Sequence, residues 1–208
     1  MKGFLITFEG IDFSGKSTQA QLLAQKLQAK NYPLLLLRDP GATPLSEKIR
    51  ELLLDATYSG MGAETELFLF SAARAQMVRE KIIPGLKEGK IIICERFYDS
   101  TTAYQGFGRQ LPLEIVQKIN EIAAGEVCPD LTFLLDLDPE LALERKIRSG
   151  GHWDRMEKQE LDFIKRVREG YLKIAQWEPQ RIVVVKGEKF IAELENEIWN
   201  YVSEKLKL

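Results

Sequence analysis

Eight residues near the N-terminus carry the first recognisable chemistry. Gly10-Ile11-Asp12-Phe13-Ser14-Gly15-Lys16-Ser17 follows the pattern G-x-x-x-x-G-K-[ST] and runs on into Thr18. An apolar run precedes it and helix-forming sequence begins near Lys16, the strand–loop–helix context that a phosphate-binding loop needs. Glycines let backbone N–H groups converge on phosphate oxygens, and the first turn of a helix adds free donors and the positive end of its dipole. Lys16 would reach the β- and γ-phosphates and the Ser17 hydroxyl would ligate Mg²⁺. The whole stretch Gly10–Thr18 is expected to hold a nucleoside triphosphate.

Such a loop does not separate GTPases, ATP-driven machines and small-molecule kinases. No N-K-x-D guanine-reading motif occurs, which counts against a GTPase, and 208 residues is short for an ATP-driven motor. Glu95 follows the apolar run Ile91–Cys94 and is placed like the second-strand acid that holds Mg²⁺ through water. Arg38 and Arg96 also follow strand-like runs, on the rim where ligands of open α/β sheets bind. Two guanidiniums converging there suit a phosphate monoester, which they can grip through paired N–H groups. His152 is the only histidine and reads as a solvated loop residue. No base is required for phosphoryl transfer to a phosphate, whose second pKa is about 6.

These groups need a sheet to position them. Phe4–Phe8, Leu34–Leu37, Ile91–Cys94, Leu131–Leu135 and Ile182–Val185 are near-continuous apolar runs, the pattern of parallel strands covered on both faces. Helical stretches lie between them at Thr18–Lys30, Ser46–Leu54, Glu64–Ile83, Leu113–Ala124 and Glu160–Ala175. The last carries an apolar stripe of Leu161, Ile164, Val167, Tyr171 and Ile174. The alternation predicts a doubly wound α/β sheet in one domain.

Lys plus Arg is 29 and Asp plus Glu is 31, a net charge of −2. That balance argues against a protein that coats nucleic acid or an anionic membrane. No run approaches the ~20 apolar residues of a membrane span and no signal peptide is evident, so a soluble, cytoplasmic protein is expected. Cys94 and Cys128 are the only cysteines; both read as reduced packing residues.

Four blocks in order resemble the thymidylate kinases of bacteria: Phe8-Glu9-Gly10 with Gly15–Thr18, Arg38-Asp39-Pro40-Gly41-Ala42-Thr43, Phe70–Arg74, and Glu95-Arg96-Phe97 with Ser100–Gly106. A fifth, Pro129-Asp130-Leu131 through Asp136 with Arg145, Arg148 and Asp154-Arg155, is similar to the family's strand and LID. The resemblance implies a P-loop NTPase fold, three-layer α/β/α with a five-stranded parallel sheet, over residues 1–208 with a mobile LID at about 138–156. It implies ATP:dTMP phosphotransfer with Mg²⁺ held at Ser17 and Glu95, a homodimer, and no nucleic-acid or membrane partner.

The implied dTMP site is Asp12, Arg38, Phe70, Arg74, Arg96, Thr101, Tyr104 and Gln105. In it Phe70 stacks on thymine, Arg74 meets its carbonyl edge, Thr101 lies near its imide, Tyr104 gates the sugar, and Asp12 binds the 3′-hydroxyl. Read alone, Phe70 fits a core position and Asp12 an Asx turn. Ile11–Ser14 contain no arginine, so family logic sends the transition-state arginine to the LID, with Arg145, Arg148 and Arg155 as candidates beside Lys16, Arg38 and Arg96. Asp39, Ala42, Glu95 and Phe13 stand where the family usually shows Glu, Gly, Asp and Gly. The rivals are a kinase for another nucleotide or a deoxynucleoside, and an ATP-binding regulatory module.

Overall fold

A computed structural model describes residues 3–150 and 153–207; His152 lies outside them. Five strands form one parallel sheet: β1 (Phe4–Glu9), β2 (Leu34–Arg38), β3 (Ile91–Glu95), β4 (Leu131–Asp136) and β5 (Ile182–Lys186), in the order β2-β3-β1-β4-β5. Nine α-helices connect and cover them among the described residues: α1 (Lys16–Ala29), α2 (Pro44–Leu54), α3 (Ala63–Met77), α4 (Ile83–Lys87), α5 (Tyr98–Thr101), α6 (Leu113–Ala124), α7 (Pro139–Ser149), α8 (Leu161–Trp177) and α9 (Ile191–Leu206). Each predicted strand is present, and β1, β2 and β3 finish level: Phe8 pairs with Glu95, and Arg38 with Glu95.

The sheet is sandwiched between apolar clusters. Ile6, Phe8, Ile93 and Phe133 pack against α1 and α9, while Leu5, Ile92 and Cys94 pack against Met77, Ile82 and Phe97 on the other face. A third cluster joins Tyr104, Phe163, Val167 and Tyr171 beside Ala142 of α7 and Met156. There α8 lies against the segment after α5 with no room to spare. A Cβ on Gly170 would sit 2.6 Å from the Phe107 ring, and one on Gly108 2.7 Å from Phe163.

Several expectations need correction. The outer strands are covered less than the inner ones: Leu36 of β2 and Val184 of β5 are each 46% exposed, because an edge strand has a neighbour on one side only. The helix expected over Glu64–Ile83 breaks into α3, a π-helical turn at Val78–Ile82, and α4. A second π-helical run, Thr102–Gly108, follows α5 where the sequence pattern predicts no helix. The apolar stripe of α8 turns inward through Phe163 and Gly170, leaving Leu161 and Ile164 half-buried. Cys94 is buried as expected, but Cys128 is exposed beside the Tyr98 hydroxyl, not packed. Among the described residues no helix is long and apolar enough to cross a membrane.

Candidate active site

The phosphate loop leaves β1 through a turn that only special backbone geometry permits. Gly10 has φ 134° and Gly15 φ 101°, and a Cβ on Gly10 would meet the Leu135 carbonyl at 2.5 Å. Lys16 opens α1 and is buried, its Nζ donating to the Ile11 carbonyl at 2.7 Å. Burial, then the neighbouring Arg96 cation, pull its pKa down to about 8 against the pull of Asp12 and Glu95. One residue on, Ser17 Oγ donates to Glu95 Oε1 at 2.8 Å. A hydroxyl and a carboxylate side by side at a helix N-terminus are the hard oxygen donors that suit Mg²⁺, which keeps most of its remaining shell for water and phosphate. The described residues hold no group of three or more Asp, Glu, His or Cys that could bind a metal without such help.

Arg96 comes directly after β3 with φ 67°, a left-handed turn that throws its side chain over the phosphate loop. Its Nη2 donates to Asp12 Oδ1 at 2.5 Å and to the Tyr104 hydroxyl at 3.2 Å. Its Nη1 lies 3.0 Å from the Gly10 carbonyl. Burial pushes the Asp12 carboxyl up, but Arg96 and Lys16 outweigh it and hold the group below the ordinary carboxylate range. Asp12 is thus held by Arg96 and Tyr104, and the Asx-turn alternative does not describe it. Burial keeps the Tyr104 phenol well above its ordinary value, so it is a donor at neutral pH.

A cleft of about 510 Å³ opens over these groups. It is lined by Asp12, Phe13, Lys16, Ser17, Thr18, Arg38, Phe70, Arg74, Glu95, Arg96, Thr101, Tyr104, Gln105 and Arg145. Phe70 is half-buried at its wall, whereas Phe68, two residues earlier, is 60% exposed and not core. Arg38 is half-exposed and paired with Glu47 at 3.0 Å. Gln105 is buried and donates to Glu66 at 2.8 Å.

Arg74 is 1% exposed and committed to its surroundings. Nε donates to Asp39 at 2.5 Å, Nη2 to Thr101 Oγ1 at 2.7 Å, and Nη1 to Asn120 at 3.1 Å. These bonds, with one to the Phe97 carbonyl at 3.3 Å, leave one of its five N–H groups for a ligand.

The three candidate transition-state arginines part company. Arg145 donates to the Phe13 carbonyl at 3.1 Å and the Gly187 carbonyl at 2.9 Å, so it lies on the phosphate loop. Arg148 pairs with Glu144 on the solvent side of α7, outside the cleft lining. Arg155 is buried away from the cleft. It donates to Glu66 at 2.6 Å and to the Leu53 carbonyl at 2.8 Å, and its backbone N–H bonds Leu54.

The sequence model of the thymidylate kinase family, "Thymidylate kinase", matches residues 8–198. The chain belongs to this family. It is 47% identical over 201 residues to the thymidylate kinase of Symbiobacterium thermophilum, covering 97% of this chain and 93% of that one. It is 46% identical to that of Pelobacter propionicus, covering 94% and 92%. The crystal structure of thymidylate kinase from Ehrlichia chaffeensis superposes with TM-score 0.80 at 34% identity, covering 98% of this chain and 99% of that one. The parallel five-stranded sheet is accordingly the P-loop NTPase fold of the thymidylate kinases.

Phe13 and Ala42 sit at φ 63° and 69°, where glycine is free of steric cost and other residues are not. Glu95, one methylene longer than Asp, reaches Ser17. Sequence reasoning missed Arg50, which lines the cleft from α2 and bonds the Pro40 carbonyl at 3.2 Å. Nothing in a local pattern separates it from the other basic residues. Tyr171 belongs to the apolar stripe of α8, yet its hydroxyl accepts from Arg96 Nη1 at 3.0 Å.

Proposed function

We propose that the enzyme transfers the γ-phosphoryl group of ATP to dTMP, giving ADP and dTDP. The observation that carries this reading is the meeting, in one cleft, of the phosphate loop of β1 with Arg38 and Arg96 at the ends of β2 and β3. The donor triphosphate lies along Gly10–Thr18, and the acceptor monophosphate between Arg38 and Arg96. The acceptor is already a dianion at neutral pH, so the work is to bring two anions into line and neutralise the charge spread over the transferred group. Lys16 and Arg96 supply cations from the floor. Arg145 supplies one from the LID, where it already touches the loop backbone.

Ser17 and Glu95 would hold Mg²⁺. Bound there, the ion offsets phosphate charge. Phe70 and Tyr104 bracket the nucleoside, and Asp12, fixed by Arg96 and Tyr104, is positioned for the sugar. Arg148 takes no part, and Arg155 takes part only if it exchanges Glu66 for the cleft. The homodimer is supported by the neighbouring helices α2, α3 and α6, which carry exposed Leu45, Leu52, Phe68, Ile115 and Ile122.

The test is an ADP-release assay with ATP and Mg²⁺, offering dTMP, dUMP, dCMP, dGMP, AMP and thymidine separately. dTMP turned over best is the expected result. Turnover of thymidine alone would show that Arg38 and Arg96 do not bind an acceptor phosphate.

A further inference from the structure

Glu9, the last residue of β1, is 1% exposed and lies beneath Arg96. Its Oε1 accepts the Phe97 N–H at 2.7 Å. Its Oε2 accepts the Ser100 hydroxyl at 2.6 Å and the Tyr171 hydroxyl at 3.0 Å. Those two hydroxyl oxygens in turn receive Arg96 Nη1 at 3.1 and 3.0 Å. A hydroxyl that gives its single proton to Glu9 keeps its lone pairs for the guanidinium. The two hydroxyls also lie 2.7 Å from each other, so of their two protons at least one goes to an ionised Glu9 and the other to Glu9 or to the neighbouring hydroxyl. In either arrangement both oxygens keep lone pairs for Arg96, and the Glu9 bond to Phe97 grips the peptide that follows the left-handed turn.

We propose that Glu9 is a positioning residue of the acceptor-phosphate clamp, setting the Arg96 guanidinium through Ser100, Tyr171 and the Phe97 amide. The inference rests on the reading of Arg96 as a ligand of the acceptor phosphate. A buried carboxylate is an expensive choice for a purely structural role, since a neutral side chain would fill the space without the desolvation cost. Burial, and next the charge of Asp99, push the Glu9 carboxyl up to about 7, against the bonds from Ser100 and Phe97 and the charge of Arg96. Lys16 from α1, Cys94 from β3 and Tyr171 from α8 are the other titratable groups that sense it.

The sign of this shift separates a positioning role from a structural one. A folded carboxyl raised above its unfolded value stabilises the fold at low pH, and that contribution is lost as pH rises through about 7. Glu9→Gln is therefore no less stable than the wild type at pH 8. Its amide must donate to the hydroxyls it faces, which turns at least one proton toward Arg96.

Steady-state kinetics of Glu9→Gln test the proposal. KM for dTMP rises about tenfold or more while KM for ATP stays within about twofold, a split worth ~1.4 kcal/mol per decade, and Tm at pH 8 is unchanged or higher. Wild-type kcat/KM for dTMP gains an ionisation near that of Glu9, above that of the substrate, and Glu9→Gln lacks it. An unchanged KM for dTMP, or a loss shared equally by ATP and Tm, overturns the proposal. Tyr171→Phe removes one hydroxyl only and raises KM for dTMP about threefold. Should Glu9→Gln fail to fold, an unaltered KM in Tyr171→Phe overturns the proposal by itself. Wild-type turnover restricted to thymidine would overturn the clamp reading and this inference together, whereas dTMP turnover with an unmoved Glu9→Gln overturns the inference alone.

Discussion

Arg74→Ala is expected to be first a folding lesion and only then a substrate-recognition lesion. Arg74 and Asp39 form an ion pair at 2.5 Å with both side chains 1% exposed. Truncation leaves buried Asp39 without its hydrogen-bonded counter-ion, with only the more distant charges of Arg96 and Arg50 beside it, and it strips Thr101 and Asn120 of a donor. Breaking a buried pair in this way costs about 3–5 kcal/mol, a large part of the ~5–15 kcal/mol that holds a typical domain together. For a chain of this size that is a fall in Tm of roughly 6–20 °C. The assay is urea unfolding followed by circular dichroism and tryptophan fluorescence, with the m-value checked for two-state behaviour. Asp39→Ala added to Arg74→Ala removes the stranded charge and restores part of the loss.

The pH dependence carries a sign of its own. Burial outweighs Arg74 and already holds the Asp39 carboxyl above its ordinary value, and loss of Arg74 raises it further. A raised carboxyl favours the fold when protonated and loses that contribution as pH rises, so the deficit of Arg74→Ala is smaller at pH 5 than at pH 8. A deficit below about 1 kcal/mol, or one undiminished in the double variant, would refute the reasoning.

Lys16 loses its charge as pH rises through about 8, so kcat/KM for ATP falls with one ionisation there; Lys16→Arg, charged throughout, removes the fall, and a flat wild-type profile to pH 9.5 would contradict it. Arg145→Ala lowers kcat by about tenfold to a thousandfold with little change in Tm. Arg155→Ala instead lowers stability by about 1–3 kcal/mol, since Glu66 loses one of two guanidinium partners and keeps Arg109 at 3.0 Å; a kcat loss at unchanged Tm would show that Arg155 leaves Glu66 during turnover. Gly170→Ala drives a methyl into Phe107, costs about 1–3 kcal/mol and, by shifting Tyr171, raises KM for dTMP; wild-type stability in thermal unfolding would show that the two segments can part.

The sheet and the phosphate loop were legible because their signals are local. An apolar run of five residues betrays a buried strand wherever the chain goes next, and the loop pattern states its own geometry. Arg38 and Arg96 were legible for a related reason, standing at strand ends on the ligand-binding rim. The destinations of Arg145, Arg148 and Arg155 were not legible. All three lie in one polar stretch, and which meets the phosphate loop depends on how α7 settles on α8 and how the turn after it settles on α2 and α3. Tyr171 kept its apolar role in the stripe, but its hydroxyl found Glu9, 162 residues away. No periodicity can report such a pairing. The π-helical run at Thr102–Gly108 was equally silent, since it arises from packing on α8.

The level finish of β1, β2 and β3 makes the sheet a ruler. Phe8, Glu95 and Arg38 stand in one row across the ladder, and strands in a sheet are held about 4.8 Å apart. The gap between the phosphate loop and the proposed acceptor clamp of Arg38 and Arg96 is thus inherited from backbone hydrogen bonding. Grafting a longer or shorter LID should alter how well water is kept out while leaving untouched which oxygen receives the phosphoryl group. Inserting a single residue into β3 would be a different matter. It would advance one mark of the ruler, reverse the faces of every later side chain in the strand, and point Arg96 away from the anion proposed to bind there.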